Sequence, residues 1–150
     1  MFGSVAFGKM AGRKLGELFG IGGKEKIEKE VKDQGLSTEG MDIEVDDKGK
    51  VVVSGEAESQ EMKEKVILAM GNIFGVGEVE DKAKAKDNGT ESQFHTVVSG
   101  DTLWKISKKY YGKGSRYPEI FEANRPMLNH PDKIYVGQVL RIPADSSEMA

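Results

Sequence analysis

The sequence contains no cysteine, which excludes disulfide bonds and metal sites built from thiolate ligands. Histidine is almost as scarce: His95 and His130 lie far apart, so a zinc site could use them only together with carboxylates. No motif places a base beside a nucleophilic side chain, and no glycine-rich phosphate loop precedes a predicted helix. These absences argue against an enzyme and against a zinc protein.

Long apolar runs are also missing. The apolar residues near the N-terminus are interrupted by charges at Lys9, Arg13 and Glu17, and no stretch reaches the length of a membrane span. A secretory signal has basic residues first and an unbroken apolar stretch after them, which is the reverse of the order here. We therefore expect a cytoplasmic monomer without stable membrane insertion. Basic residues do not cluster, so we expect no nucleic-acid partner.

Charge is divided unevenly along the 150 residues. Residues 24–81 carry 8 lysines and 16 acidic residues, whereas residues 94–143 carry 8 basic and 4 acidic residues. The opposite net charges support two small domains and could favour their approach, although two separately solvated surfaces would show the same charges. Residues 82–93 contain no large apolar side chain, which predicts a flexible linker that buries nothing. Residues 144–150 are typical of a frayed tail.

Apolar residues recur at helical spacing near the N-terminus, at Phe7, Ala11, Leu15 and Leu18. This pattern predicts an amphipathic helix within residues 1–23, which ends at the following glycines. Such a helix could pack on the next domain or lie weakly on a membrane surface.

Residues 24–81 predict an α+β sandwich in the order helix, strand, strand, helix, strand, with the helices on one sheet face. Ile27 and Val31 mark the first helix, and alternating residues around a turn at 46–49 mark a hairpin. The second helix spans about Ser59 to Met70, with Ser59 as a plausible N-cap. Residues 94–143 predict the order strand, helix, helix, strand, with the two strands pairing antiparallel.

Residues 94–143 resemble a LysM domain. The resemblance rests on Val97, the Gly100-Asp101-Thr102-Leu103 run, and the stretches 120–124 and 134–143. The family's usual proline before the last Gly-Gln pair is Val136 here, which should affect the stiffness of the loop and leave the fold unchanged. Residues 24–81 are similar to a BON domain, through the alternating pattern at 43–55 and the Gly75-Val76 loop.

The order of one short N-terminal segment, one BON domain and one LysM domain resembles the Kbp family of cytoplasmic potassium-binding proteins. The matching stretches are 9–15, 71–75 and 120–128. This resemblance implies a sensor or buffer of intracellular potassium whose domains dock when the ion binds. It also implies that backbone carbonyls hold the ion, those of Gly8, Lys9, Ala11, Gly71, Ile73 and Val76.

The residues themselves are compatible with such a site. Residues 71–76 follow a predicted helix, whose last carbonyls lack intrahelical partners and carry partial negative charge. Glycines let consecutive carbonyls converge, and potassium gains from several carbonyl dipoles replacing its water shell. The same residues would also suit an ordinary loop before the last strand.

Two other functions remain open. LysM domains commonly bind glycans that contain N-acetylglucosamine, which implies a groove between Gly100–Leu103 and the loop at 129–135. By that resemblance the glycan-binding residues are Gly100, Asp101, Thr102, Leu103 and Ile134. A third hypothesis is a stress-related adaptor whose BON and LysM surfaces contact other proteins.

Overall fold

The computed structural model describes residues 3–6, 23–46, 49–73, 76–87 and 89–144. They form two small α+β domains, as the sequence predicts. The first comprises the strands β1 (Gly3–Ala6), β2 (Met41–Val45), β3 (Lys50–Ala57), β4 (Glu78–Asp81) and β5 (Lys84–Ala85), with the helices α1 (Gly23–Asp33) and α2 (Gln60–Gly71). The second comprises β6 (Gln93–Thr96), α3 (Leu103–Tyr111), a 3-10 turn (Gly114–Arg116), α4 (Tyr117–Ala123) and β7 (Val139–Ile142).

The main sheet of the first domain has the order β1-β4-β3-β2. β2 and β3 form the predicted antiparallel hairpin, and β4 returns parallel to β3. Alternation of apolar and polar residues puts Ile43, Val51 and Val53 on one face, where each is at most 2% exposed. That face is covered by both helices, so the core lies between one sheet face and one helix layer.

α1 and α2 bury apolar residues at helical spacing against this face. Ile27 and Val31 of α1 and Val66 and Met70 of α2 are fully buried. The predicted N-cap is confirmed, because the Ser59 hydroxyl accepts a hydrogen bond from the Met62 amide at 2.9 Å. None of the described helices combines the length and the apolarity that a membrane crossing requires.

The second domain packs α3 and α4 on a two-stranded antiparallel sheet of β6 and β7. α3 begins where the Thr102 hydroxyl accepts a hydrogen bond from the Lys105 amide, and it ends at Gly112 in the left-handed conformation. Pro118 lies in the first turn of α4, where no amide donor is needed. The predicted order of strand, helix, helix, strand is therefore confirmed.

The N-terminal segment differs from the prediction in its first residues. Gly3–Ala6 is a strand that pairs antiparallel with β4, so the predicted amphipathic helix does not extend over these residues of 1–23. Residues 7–22, where the helical spacing occurs, lie outside the described residues, as do residues 145–150 of the predicted tail.

The prediction that residues 82–93 form a flexible linker that buries nothing is wrong. Ala83 is fully buried, and β5 pairs with the end of β3. The Asp87 carboxylate accepts a hydrogen bond from the Gln60 amide, which, with a weaker contribution from Gly89, lowers the pKa of Asp87. The Lys63 ammonium, on a side chain only 2% exposed, contacts both the Asp81 carboxylate and the Ala83 carbonyl. The connector is therefore fastened along α2.

The two domains contact each other through a buried ion pair. Arg141 of β7 donates to the Glu64 carboxylate of α2 from Nε at 3.0 Å, and its Nη2 lies 2.9 Å from the same oxygen. Both side chains are less than 10% exposed. The other Glu64 oxygen accepts from the Gln60 amide group at 2.9 Å and from the Ser92 backbone at 2.8 Å. Glu64 thus joins both domains and the connector.

We predict that Glu64→Gln destabilises the protein by about 3 kcal/mol, because it leaves the buried Arg141 cation without its counter-charge. The matched control is Glu61→Gln on the same helix, because the Glu61 side chain is 61% exposed and its pair with Lys65 should contribute less than about 0.5 kcal/mol. Urea unfolding of both variants measures the difference. Equal losses of stability in the two variants would contradict the assigned role of the pair.

Candidate functional site

Three predicted ligand residues lie on the segment that leaves α2. Gly71 is the last residue of the helix, and Asn72 caps it by donating its backbone N–H to the carbonyls of Leu68 and Met70. The Ile73 carbonyl accepts a hydrogen bond from the Val76 amide at 3.1 Å, which closes a turn. This turn brings the backbone groups of Gly71, Ile73 and Val76 onto one short loop.

The side chains of this loop anchor it in the first domain. Ile73 and Val76 are each 1% exposed and belong to the apolar core. The Gly77 amide donates to the Gly49 carbonyl at 2.8 Å, which ties the loop to the β2–β3 turn. Anchoring of Ile73 and Val76 suits backbone ligands, since an ion site depends on where the carbonyls are fixed.

The other predicted ligand residues, Gly8, Lys9 and Ala11, lie outside the described residues. The strand that precedes them is described, and its register is informative. Gly3 lies opposite Asp81 and Ala6 lies opposite Glu78, so the chain runs along β4 toward the beginning of that strand. The beginning of β4 is where the 71–76 loop enters the sheet. β1 therefore directs the chain toward the loop.

Asn72 connects the same loop to the second domain. Its side chain donates to the Val139 carbonyl at 2.9 Å and accepts from the Val139 amide at 2.8 Å. The hydroxyl of Tyr135 donates to the Asn72 carbonyl at 3.5 Å. Val139 is 2% exposed and packs in the core of the first domain. Asn72, which lies between the candidate ligands Gly71 and Ile73, therefore binds β7 of the second domain.

The predicted glycan loop is built around a histidine. His95 contacts the Asp101 carboxylate through Nε2 at 2.8 Å and the Tyr110 hydroxyl through Nδ1 at 2.9 Å. All three groups are satisfied when Tyr110 donates to Nδ1 and the Nε2–H donates to Asp101. Asp101 also accepts from the Val98 amide at 2.9 Å. The Asp101 carboxylate therefore holds the loop in place.

These contacts set the pKa of two groups. Burial raises the pKa of Asp101, but the hydrogen bonds from Val98 and His95, together with the charge of Lys109, outweigh it and keep the pKa below its usual value. Burial, and then the Asp101 charge, raises the pKa of Tyr110. Asp101 is consequently ionised and Tyr110 is neutral at physiological pH.

The other predicted glycan residues take different places. Gly100 is exposed with φ of +90° in the turn before α3. The Thr102 hydroxyl caps α3, and the Leu103 side chain is 3% exposed in the core. Ile134 packs partly buried against that core. The Leu103 side chain is therefore directed into the core, and the assignment of these residues to glycan binding stays a prediction.

Sequence reasoning missed Asn72, Glu64 and Arg141, which join the domains. Glu64 is one of the 16 acidic residues in 24–81, a group that composition alone places on a solvated surface. Its partner, Arg141, lies 77 residues away in the sequence. A pattern-based signal does exist for Asn72, because an asparagine at a helix end can satisfy backbone groups nearby. Nothing local indicates that the backbone it binds belongs to another domain.

Residues 24–87 match the family model of the BON domain, and residues 95–143 match the family model of the LysM domain. The chain is 48% identical over 122 residues to the potassium binding protein Kbp of Escherichia coli O6:H1, a match that covers 81% of each chain. The chain belongs to the Kbp family. Both Kbp-family modules are binding domains, and neither is an enzyme family.

Two other relatives match smaller parts of the chain. An uncharacterised protein of Deinococcus radiodurans is 44% identical over 61 residues, which is 41% of this chain and 23% of that protein. The spore coat assembly protein ExsA of Bacillus cereus is 39% identical over 57 residues, which is 38% of this chain and 8% of that protein. The match to the Kbp relative, by contrast, extends over most of both chains.

We predict that Asp101→Asn destabilises the second domain by about 1 kcal/mol at pH 7, through loss of charge-assisted hydrogen bonds at a partly exposed site. The folded pKa of Asp101 is depressed, so its contribution is present above about pH 4, the unfolded pKa, and is lost as the pH falls through the folded value. Urea unfolding of wild type and variant at pH 7, 5 and 3 measures this. The stability difference should shrink at pH 3, and a constant difference at all three pH values would contradict the assignment.

Proposed function

We propose that the chain binds potassium through the backbone carbonyls of two segments. The supporting observation is the register of β1, which directs the chain after Ala6 toward the loop that follows α2. From Ala6, an extended chain needs only about two residues, or roughly 7 Å, to reach Gly8. The name of the relative from Escherichia coli supports the choice of ion.

The candidate ligands are the carbonyls of Gly8, Lys9, Ala11, Gly71, Ile73 and Val76. A large monovalent ion suits them, because uncharged carbonyl dipoles replace its water shell without the charge that a divalent ion requires. The end of α2 adds partial negative charge at Gly71. Among the described residues, no group of three His, Asp or Glu side chains is placed to hold a metal ion, so the proposal depends on backbone oxygens alone.

The proposed role is that of a potassium sensor or buffer in the cytoplasm that acts by binding and not by catalysis. Asn72 supports ion-dependent docking, since it lies between Gly71 and Ile73 and binds Val139 at the same time. An ion that fixes the peptide groups around Asn72 also fixes the position of its side chain. Such an ion stabilises the docked domains by as much as it binds the docked loop conformation more tightly than the undocked one.

The alternative is glycan binding by the LysM domain. One observation favours it: the Val97 amide and carbonyl bond to Gln138 and Gly137, so the loops at 98–103 and 129–137 leave the sheet at the same end. The exposed residues Val98 and Val136 follow and precede this junction. Chitin oligomers and soluble peptidoglycan fragments test this alternative separately from the ion.

We predict that potassium chloride raises the melting temperature of the protein, whereas sodium chloride at equal ionic strength does not. An ion bound only by the folded form adds about 2.7 kcal/mol at a hundredfold excess over its dissociation constant. Sodium is smaller and more tightly hydrated, so a carbonyl site sized for potassium compensates its dehydration poorly. Thermal melting in the two salts, with calorimetric titration, measures the difference.

Truncation of residues 1–12 provides the control for the position of the site. Because Gly3–Ala6 pairs with β4, the truncation also removes an edge strand, so the melting curve of the truncated protein in sodium is its reference. The truncated protein should melt at the same temperature in potassium as in sodium. Identical melting of the full chain in both salts would refute potassium binding, and a full increment after truncation would place the site elsewhere.

We predict that Asn72→Ala lowers stability by about 2 kcal/mol, because its two hydrogen bonds to Val139 are lost and that backbone is left unpaired. It should also reduce the stabilisation by potassium. Asn124→Ala is the matched control, since Asn124 binds the backbone of Arg141 in the same way but within the second domain. Melting of both variants in potassium and sodium separates the two effects. A potassium response reduced equally in both would contradict a specific link through Asn72.

A further inference from the structure

Met127 lies where the two domains meet. Its side chain packs against the apolar cores of both the first and the second domain. Its sulfur accepts a hydrogen bond from the Asn72 side-chain amide at 3.3 Å, and the same amide group donates to the Val139 carbonyl at 2.9 Å. A thioether suits this mixed contact, because it fills irregular apolar gaps and is a weak acceptor for a nearby donor. Met127 therefore forms part of the contact that docks the domains.

Met127 is also accessible to small reagents. Its side chain is only partly buried, and it lines a cavity of about 510 Å³ between the domains. Because a water molecule occupies about 30 Å³ of the liquid, a cavity of this volume admits reagents of the size of hydrogen peroxide. Met70, by contrast, is fully buried in the core of the first domain. Met127 thus combines access from solvent with a place in the domain contact.

Oxidation by a peroxide changes the character of a methionine side chain. The sulfur forms a bond to one peroxide oxygen as the O–O bond breaks, and the sulfur is oxidised by two electrons. The proton on the transferred oxygen passes to the other oxygen, which leaves as water. The product is a polar sulfoxide, whose oxygen costs free energy when it is buried without hydrogen bonds.

The contact around Met127 has no room for this oxygen. The Met127 sulfur and the Asn72 nitrogen are 3.3 Å apart, and an N–H···O hydrogen bond alone needs about 2.7 to 3.2 Å between nitrogen and oxygen. The sulfur therefore has to move away from Asn72 before the sulfoxide oxygen can accept from it. The remaining surroundings of Met127 are the two apolar cores, which offer the oxygen no donor.

We propose that Met127 is an oxidation site at which hydrogen peroxide weakens the contact between the domains. The sulfoxide oxygen is hydrated when the domains separate and loses that water when they dock, so oxidation favours separation. The Glu64–Arg141 pair is not altered by the reaction, and neither core has to unfold. Methionine sulfoxide reductases return the sulfoxide to methionine, so the change is reversible. The proposal does not depend on potassium binding.

Treatment of the full chain with hydrogen peroxide in sodium chloride tests the proposal. Peptide mass spectrometry should find the sulfoxide at Met127 roughly tenfold sooner than at the buried Met70. The oxidised protein should melt about 5 °C lower, because a polar group now lies in an apolar contact. Amide NMR shifts should change most at Asn72 and Val139 and least at residues deep in either core. Methionine sulfoxide reductase should restore both the melting temperature and the spectrum.

Two variants assign the effect to one sulfur. Met127→Leu keeps the volume and removes the reactive atom, so it should fold and should not melt lower after peroxide treatment. Met62→Leu is the matched control, because Met62 is a partly buried methionine that packs against the core of the first domain, and this variant should keep the full loss.

Three results would each overturn the proposal. The first is a Met127 that stays unmodified under conditions that fully oxidise free methionine. The second is an oxidised protein whose Asn72 and Val139 resonances do not shift. The third is a loss of melting temperature after peroxide treatment that is as large in Met127→Leu as in the wild type.

Discussion

A carboxylate removed from water has to be paired, and this requirement at Glu64 determines how the two domains meet. The pairing cation, Arg141, comes from the last strand of the second domain. Glu64 lies on α2, and Asn72 caps the end of that helix eight residues later. Both bind β7, one through the side chain of Arg141 and the other through the backbone of Val139. One helix and its C-cap thus fix the relative position of the domains.

The neighbouring residue on α2 fixes the path between the domains. Lys63 is buried beside Glu64, and its ammonium holds Asp81 and the Ala83 carbonyl. Ser92, at the far end of the connector, donates its backbone N–H to Glu64. The connector is therefore held against the first turns of α2. A lysine and a glutamate at consecutive positions, each satisfied within the protein, take the place of the large apolar residues that the connector lacks.

Much of the fold could be predicted because it depends on local patterns. Alternation at Ile43, Val51 and Val53 identifies the hairpin, and the N-cap at Ser59 follows from residue type. The connector could not be predicted in the same way, since Ala83 is small and the partners of Asp87 and Ser92 lie on a helix more than twenty residues away. At the candidate ion site, Gly71, Ile73 and Val76 are found on one loop. The resemblance suggested these residues, but no local pattern could reveal that Asn72 connects the loop to β7.

The position of Asn72 has a further consequence for β7. Among the described strands, β7 has one neighbour in its sheet, so its outer edge carries backbone groups that could pair with a strand of another molecule. Asn124 occupies the edge at Arg141, and Asn72 occupies it at Val139. If the domains separate, the edge at Val139 opens and becomes available to other copies of the chain. The contact between the domains therefore also protects the protein against edge-to-edge aggregation.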